Sequence, residues 1–163
     1  MITVNPARPA DVHALAELAE KMDRFYGATD TEPLELRVSQ INEAIFGASP
    51  SAHVLLAWDQ DKLAGFASYS FLWPAAGLTR SLFLKELYVA ETARRQGVGK
   101  LLMQRLYAIA VERGCSRVEW MTEKENTEAQ GFYTDLGAQV NETKLFYRIA
   151  GDELRRLGGL DDT

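Results

Sequence analysis

The chain of 163 residues holds a single cysteine, Cys115, and two histidines, His13 and His53. One thiol forms no disulfide framework, so a reducing cytoplasm is the expected compartment. With no histidine near Cys115 in the sequence, a cysteine triad has no support, and no His/Cys/carboxylate spacing suggests a metal. Cations are outnumbered, with 18 Lys and Arg against 23 Asp and Glu, for a net charge of −5. That balance argues against a nucleic-acid surface, which needs clustered Lys and Arg. No apolar run approaches the roughly 20 residues of a membrane helix, and Met1–Pro6 lacks the layout of a signal peptide. Neither membrane nor nucleic acid is an expected partner. Repeats and Pro/Gly/Ser-rich linkers are also missing, so residues 1–163 are expected to form one domain.

What is present is patterning. Ile2–Val4 reads as a strand. Val12, Leu15, Leu18, Met22 and Phe25 fall at helical spacing within Pro9–Tyr26, and Leu34, Val38, Ile41 and Ile45 repeat it up to Gly47. His53–Trp58 and Leu63–Trp73 are rich in β-branched and aromatic residues and read as a hairpin. Pro74 and Gly77 interrupt, and Ser81–Val89 resumes as a strand. A helix carrying Val98, Leu102, Leu106 and Ile109 ends at Arg113-Gly114. Arg117–Thr122 reads as a strand, Ala129–Leu136 as a helix stopped by Gly137, Lys144–Ile149 as a final strand, and Gly151–Leu157 as a short terminal helix. The order implies an α/β fold, a mixed and largely antiparallel sheet of about six or seven strands with helices on both faces.

The chemistry concentrates in Leu84-Lys85-Glu86-Leu87-Tyr88-Val89 and the following Arg94-Arg95-Gln96-Gly97-Val98-Gly99-Lys100. A strand enters a loop with two glycines that opens into a helix. Glycine lets backbone approach a ligand, and the helix start offers free N–H groups and a positive dipole end to an anion. Arg94, Arg95 and Lys100 add charge, which suits a pyrophosphate; a plain strand–helix turn with solvated cations is the alternative. Leu102 stands where a dinucleotide fingerprint needs its third glycine, and Leu101 where a P-loop needs Ser or Thr.

The Arg-x-x-Gly-x-Gly segment after Leu-Tyr-Val resembles motif A of the GNAT acetyltransferase family. Asn126-Thr127-Glu128-Ala129-Gln130-Gly131-Phe132-Tyr133 with Leu136-Gly137-Ala138 is similar to its motif B. Leading Arg8-Pro9-Ala10 and closing Phe146-Tyr147-Arg148 extend the resemblance over nearly the whole chain. The likeness is strongest to the diamine and thialysine acetyltransferases, through the long strand before motif A and Arg113-Gly114-Cys115-Ser116. That group carries two adjacent acids where this chain has Lys85-Glu86, which sets a dicationic substrate apart.

The resemblance implies acetyl-CoA as co-substrate and no metal. The backbone of Leu87, Tyr88 and Val89 would pair with the pantetheine arm and polarise the thioester carbonyl. The amides from Arg95 through Gln96, Gly97, Val98 and Gly99 to Lys100 would hold the pyrophosphate, and Asn126 and Ala129 would flank the thiol end. Tyr133 would return a proton to sulfur, although a tyrosine sharing a helix face with Ala129 and Leu136 is also an ordinary packing residue. A homodimer is the protein assembly the family implies.

Glu86 is a catalytic and substrate-binding candidate in its own right. Strict alternation places it on the apolar face with Leu84 and Tyr88, where an unpaired carboxylate is costly. An alkylammonium of pKa near 10.4 is only about one part in 10³ neutral at pH 7. A buried carboxylate of raised pKa can take that proton, whereas a structural ion pair is the competing account. Tyr26, after the first helix, is the further substrate-contact candidate. The expected activity is acetyl transfer to a primary amine of a small molecule. A protein N-terminal or lysine acetyltransferase and a non-catalytic acyl-CoA-binding module are the alternatives.

Overall fold

A computed structural model describes residues 1–160, which divide into two units, one from Met1 to Lys124 and one from Glu125 onward. The first unit is built on a sheet in the order β1 (Ile2–Pro6), β2 (His53–Asp59), β3 (Lys62–Leu72), β4 (Arg80–Val89) and β5 (Cys115–Trp120). The first four strands are antiparallel neighbours, and β5 runs parallel to β4. The parallel step needs a crossover, which α3 (Val98–Glu112) supplies. Strand candidates were expected to number about six or seven; among the described residues the sheet has five.

Cross-strand register defines two faces. Val54, Ser68 and Glu86 stand in one row across β2, β3 and β4, and Leu56, Phe66 and Tyr88 in the next. Over this face lie α1 (Val12–Phe25) and α2 (Leu34–Phe46). One turn of 3₁₀ helix, Pro9–Asp11, leads into α1, and the buried Asp11 carboxylate accepts the Arg8 backbone N–H at 2.8 Å. The opposite face carries Leu55, Ala67, Leu82 and Leu84, all within 2% of full burial. There α3 lays down Val98, Leu102, Met103 and Leu106, each at most 1% exposed. Helix α2 is followed by Gly47, where a Cβ would run into the Glu43 carbonyl oxygen, so only glycine fits without a shift.

The sequence pattern and the sheet part company at one place in β4. Ser68 stands opposite Glu86, but the next residue, Tyr69, stands opposite Leu84, so Lys85 is an extra residue on β4. This β-bulge reverses the alternation. Glu86 therefore shares its face with Phe66 and Tyr88, while Leu84 lies with Tyr69 on the α3 face. The expectation that Glu86 and Leu84 share a face is corrected by the bulge.

The second unit contains α4 (Thr127–Asp135) and α5 (Gly151–Leu157). Asn126 caps α4, its Oδ1 accepting the Ala129 N–H at 3.1 Å. Gly137, at φ +91°, ends it as a left-handed stop. Lys144–Ile149, expected as a strand, belongs to no sheet, and Leu145, Phe146, Tyr147 and Ile149 are all exposed. Aromatic and β-branched residues raise strand propensity, but a strand exists only where a ladder pairs it.

Candidate active site

Strand β5 pairs with β4 only from Arg80 to Leu84. Beyond the bulge, Lys85–Val89 has β3 on one side and no strand of the described residues on the other. The Ala90 N–H donates to the Ala64 carbonyl at 2.8 Å. Backbone groups alternate in direction along a strand, so Glu86 and Tyr88 also turn theirs toward β3. Leu87 and Val89 then present theirs to the open edge. Arg94 confirms the direction: its Nε donates to the Val89 carbonyl at 3.2 Å from outside the ladder. Of the three residues expected to pair with an extended ligand, Leu87 and Val89 offer their backbones. Tyr88 contributes a buried ring, 3% exposed.

The loop after β4 is shaped for an anion. Arg95 has φ +65°, and Gly97, the residue before α3, has φ +78° with open space where a Cβ would stand. Gly97 has no side chain to cap the helix, and the first closing bond runs from the Leu101 N–H to the Gly97 carbonyl at 3.0 Å. The N–H groups of Val98, Gly99 and Lys100 precede that bond at the positive end of a 15-residue helix. Successive free N–H groups beside a left-handed residue form an anion-binding concavity. Arg95, Gln96 and Lys100 surround it, exposed. Arg94 does not join them. Its guanidinium stacks 4.4 Å from the Phe25 ring centre and 5.8 Å from that of Tyr88, tying the loop to the end of α1.

Glu86 is half-buried, and burial pushes its carboxyl pKa above the ordinary carboxylate value. Lys85 opposes that shift and the Asp23 carboxylate reinforces it. Tyr26, 59% exposed, packs its ring edge-on against Phe25 at 5.3 Å. Burial and the Glu86 charge raise the Tyr26 hydroxyl pKa, which places the two candidates within electrostatic reach of each other.

Glu86 also lines a groove of about 400 Å³ between the sheet and the α1–α2 pair. Leu15, Met22, Ile41, Ile45, Val54 and Phe66 make its apolar walls and floor. Asp23, Glu32, Arg37 and Gln40 join Glu86 as its polar members. Sequence reading missed Asp23 and Arg37, because nothing in linear spacing ties a carboxylate on one helix to a guanidinium on the next. It also missed Gly65, the lone glycine inside a strand pattern, which is itself a signal of close backbone approach. A Cβ at Gly65 would lie 2.8 Å from the Tyr88 carbonyl oxygen and 3.2 Å from Val98 Cγ1. Gly65 thus lets β3 carry both the open part of β4 and the start of α3.

In the second unit, Asn126, Ala129 and Tyr133 stand on the first two turns of α4. Ala129 and Tyr133, four residues apart, share a helix face. The Tyr133 ring lies 5.3 Å from that of Phe132. Among the described residues no group of three or more His, Cys, Asp or Glu is placed to hold a metal ion, and no helix is long and apolar enough to cross a membrane.

The sheet thus opens between β4 and β5, beside a helix that starts on a left-handed glycine. The chain belongs to the acetyltransferase (GNAT) family, whose description matches residues 15–138. It is 27% identical over 171 residues to the thialysine N-epsilon-acetyltransferase of Mus musculus, covering 96% of each chain. It is 32% identical over 99 residues to the L-ornithine N5-acetyltransferase of Arabidopsis thaliana; the match takes in 61% of this chain and 43% of that protein. Among solved structures, an integron cassette protein from the mobile metagenome of V. cholerae superposes with a TM-score of 0.90 at 27% identity, covering 96% and 97% of the two chains.

Proposed function

We propose that this chain transfers the acetyl group of acetyl-CoA directly to a primary amine of a small molecule. The observation that carries the reading is the position of Glu86. It is one peptide step before Leu87, whose backbone faces the open edge, and it lines the groove beneath α1 and α2. A proton acceptor thus joins an acceptor-sized groove to the strand edge suited to an acyl carrier.

Acetyl-CoA, when bound, supplies an acyl group activated as a thioester. Leu87 and Val89 hold the pantetheine arm by strand pairing, and the N–H group of one of them polarises the carbonyl. The Val98, Gly99 and Lys100 N–H groups receive the pyrophosphate, with Arg95, Gln96 and Lys100 around it. Arg94 positions the end of β4 rather than the phosphates. Asn126 caps the start of α4, and by the family resemblance Asn126 and Ala129 would flank the thiol end. Glu86 takes the ammonium proton, directly or through water, offsetting a deprotonation deficit of roughly 4–5 kcal/mol at pH 7. Tyr26 would contact the acceptor, and by the family resemblance Tyr133 would supply the proton that the departing thiolate takes up.

The same reading treats residues 1–163 as one catalytic domain. It puts the enzyme in the cytoplasm, which the single cysteine supports, and as a homodimer, which the family resemblance supports. The excess of acidic residues supports a small cationic acceptor over nucleic acid. A panel of free amines, assayed by release of the coenzyme A thiol, tests the proposal. Amine-dependent release is expected. Release only with peptide acceptors, or tight acyl-CoA binding without release, would overturn it in favour of a protein acetyltransferase or a binding module respectively.

A further inference from the structure

The groove holds one buried cation. Arg37, 8% exposed, reaches from α2 across to α1, where its Nη2 meets Asp23 Oδ2 at 2.9 Å, and its Nη1 lies 3.6 Å from Glu32 Oε2 in the connecting loop. Its buried Nε has no hydrogen-bond partner. The two carboxylates therefore hold the guanidinium in place through its outer nitrogens alone. Asp23 and Glu32 are themselves 40% and 54% exposed as side chains, so water reaches them.

We propose that Arg37 is the specificity-determining residue of this groove: by engaging Asp23 and Glu32, it leaves Glu86 to take the single ammonium of an acceptor whose remaining body is apolar. This inference rests on the acetyl-transfer reading and names the acceptor class for the same site. Three observations converge on it. The walls are hydrocarbon, which favours burying a hydrocarbon chain or ring. Both acids that would otherwise attract a second ammonium are already ion-paired. Lys85, adjacent to Glu86 and exposed, already brings a positive charge to bear on the Glu86 carboxylate. Specificity of this kind comes from what the site repels as well as from what it attracts.

The test compares hexylamine with 1,6-diaminohexane, equal in carbon chain and different by one ammonium. Two readouts are used: calorimetric binding in the presence of coenzyme A, and kcat/KM by thiol release. In the unmodified protein hexylamine should be preferred by about tenfold or more in both. Arg37→Met, which frees both carboxylates, should erase or reverse that preference, and Arg37→Lys should retain it. Diamine binding as well as or better than hexylamine in the unmodified protein overturns the inference without any variant, as does an unchanged preference in a folded Arg37→Met protein. Thiol release with the diamine preferred sinks this inference and leaves the transfer reading standing. Preferential hexylamine binding without release overturns the transfer reading and, with it, the assignment of an acceptor class, and binding of neither amine removes the groove as the acceptor site.

Discussion

Glu86 pairs across the sheet with Ser68, although Leu84, two residues earlier on the same strand, pairs with Ser68's immediate neighbour Tyr69. That single offset does two things. It turns Glu86 from the face packed by α3 to the face covered by α1 and α2, and it comes directly after the last β4 residue that pairs with β5. The face that Glu86 takes and the end of the β4–β5 pairing thus meet at one inserted residue, Lys85.

Glu86→Gln should remove the acid limb of the pH profile for alkylamine acetylation. Glu86 must be ionised to accept a proton, so kcat/KM should rise with pH through its raised pKa. Asp23→Asn removes a negative charge that raises that pKa, so the limb should move to lower pH. Weakly basic amines, already neutral at pH 7, should lose less than alkylamines in Glu86→Gln. Equal losses for both classes, with no change in the limb, would assign Glu86 a structural role.

Gly65→Val should destabilise the protein by about 1–3 kcal/mol, because its Cβ meets the Tyr88 carbonyl and the Val98 side chain. Denaturant unfolding reads this as a lowered midpoint at constant slope. Gly131→Ala, at a position with nothing within 4 Å of a new Cβ, is the control and should not be destabilising.

Tyr133→Phe keeps the ring beside Phe132 and removes only the hydroxyl. Turnover should fall by roughly 10²-fold with coenzyme A affinity nearly unchanged. An unchanged maximal rate with chemistry limiting would make Tyr133 a packing residue.

Most of the fold was legible because each element carries its own period. Helical spacing marked α1, α2 and α3, alternating or apolar runs marked β2 to β4, and left-handed glycines at Gly114 and Gly137 marked two stops. The glycine loop before α3 was legible for the same reason, since its conformation is local. Four features depend on partners and were not. Lys144–Ile149 has strand-forming residues but no ladder. The bulge at Lys85 shows only in the register with β3. Arg37 meets Asp23 and Glu32 only once α1 and α2 pack together, and Arg94 turns toward Phe25 for the equivalent reason.

The measurement closest to the centre of the account is a calorimetric titration of coenzyme A into the unmodified protein and into Gly97→Glu. Gly97 sits at φ +78°, so any side chain there carries backbone strain of order 1–3 kcal/mol, and a carboxylate adds repulsion toward the pyrophosphate. Saturable binding to the unmodified protein is expected, and binding weakened by at least about 10²-fold in a Gly97→Glu protein that still folds. Equal affinity in the two folded proteins would contradict it.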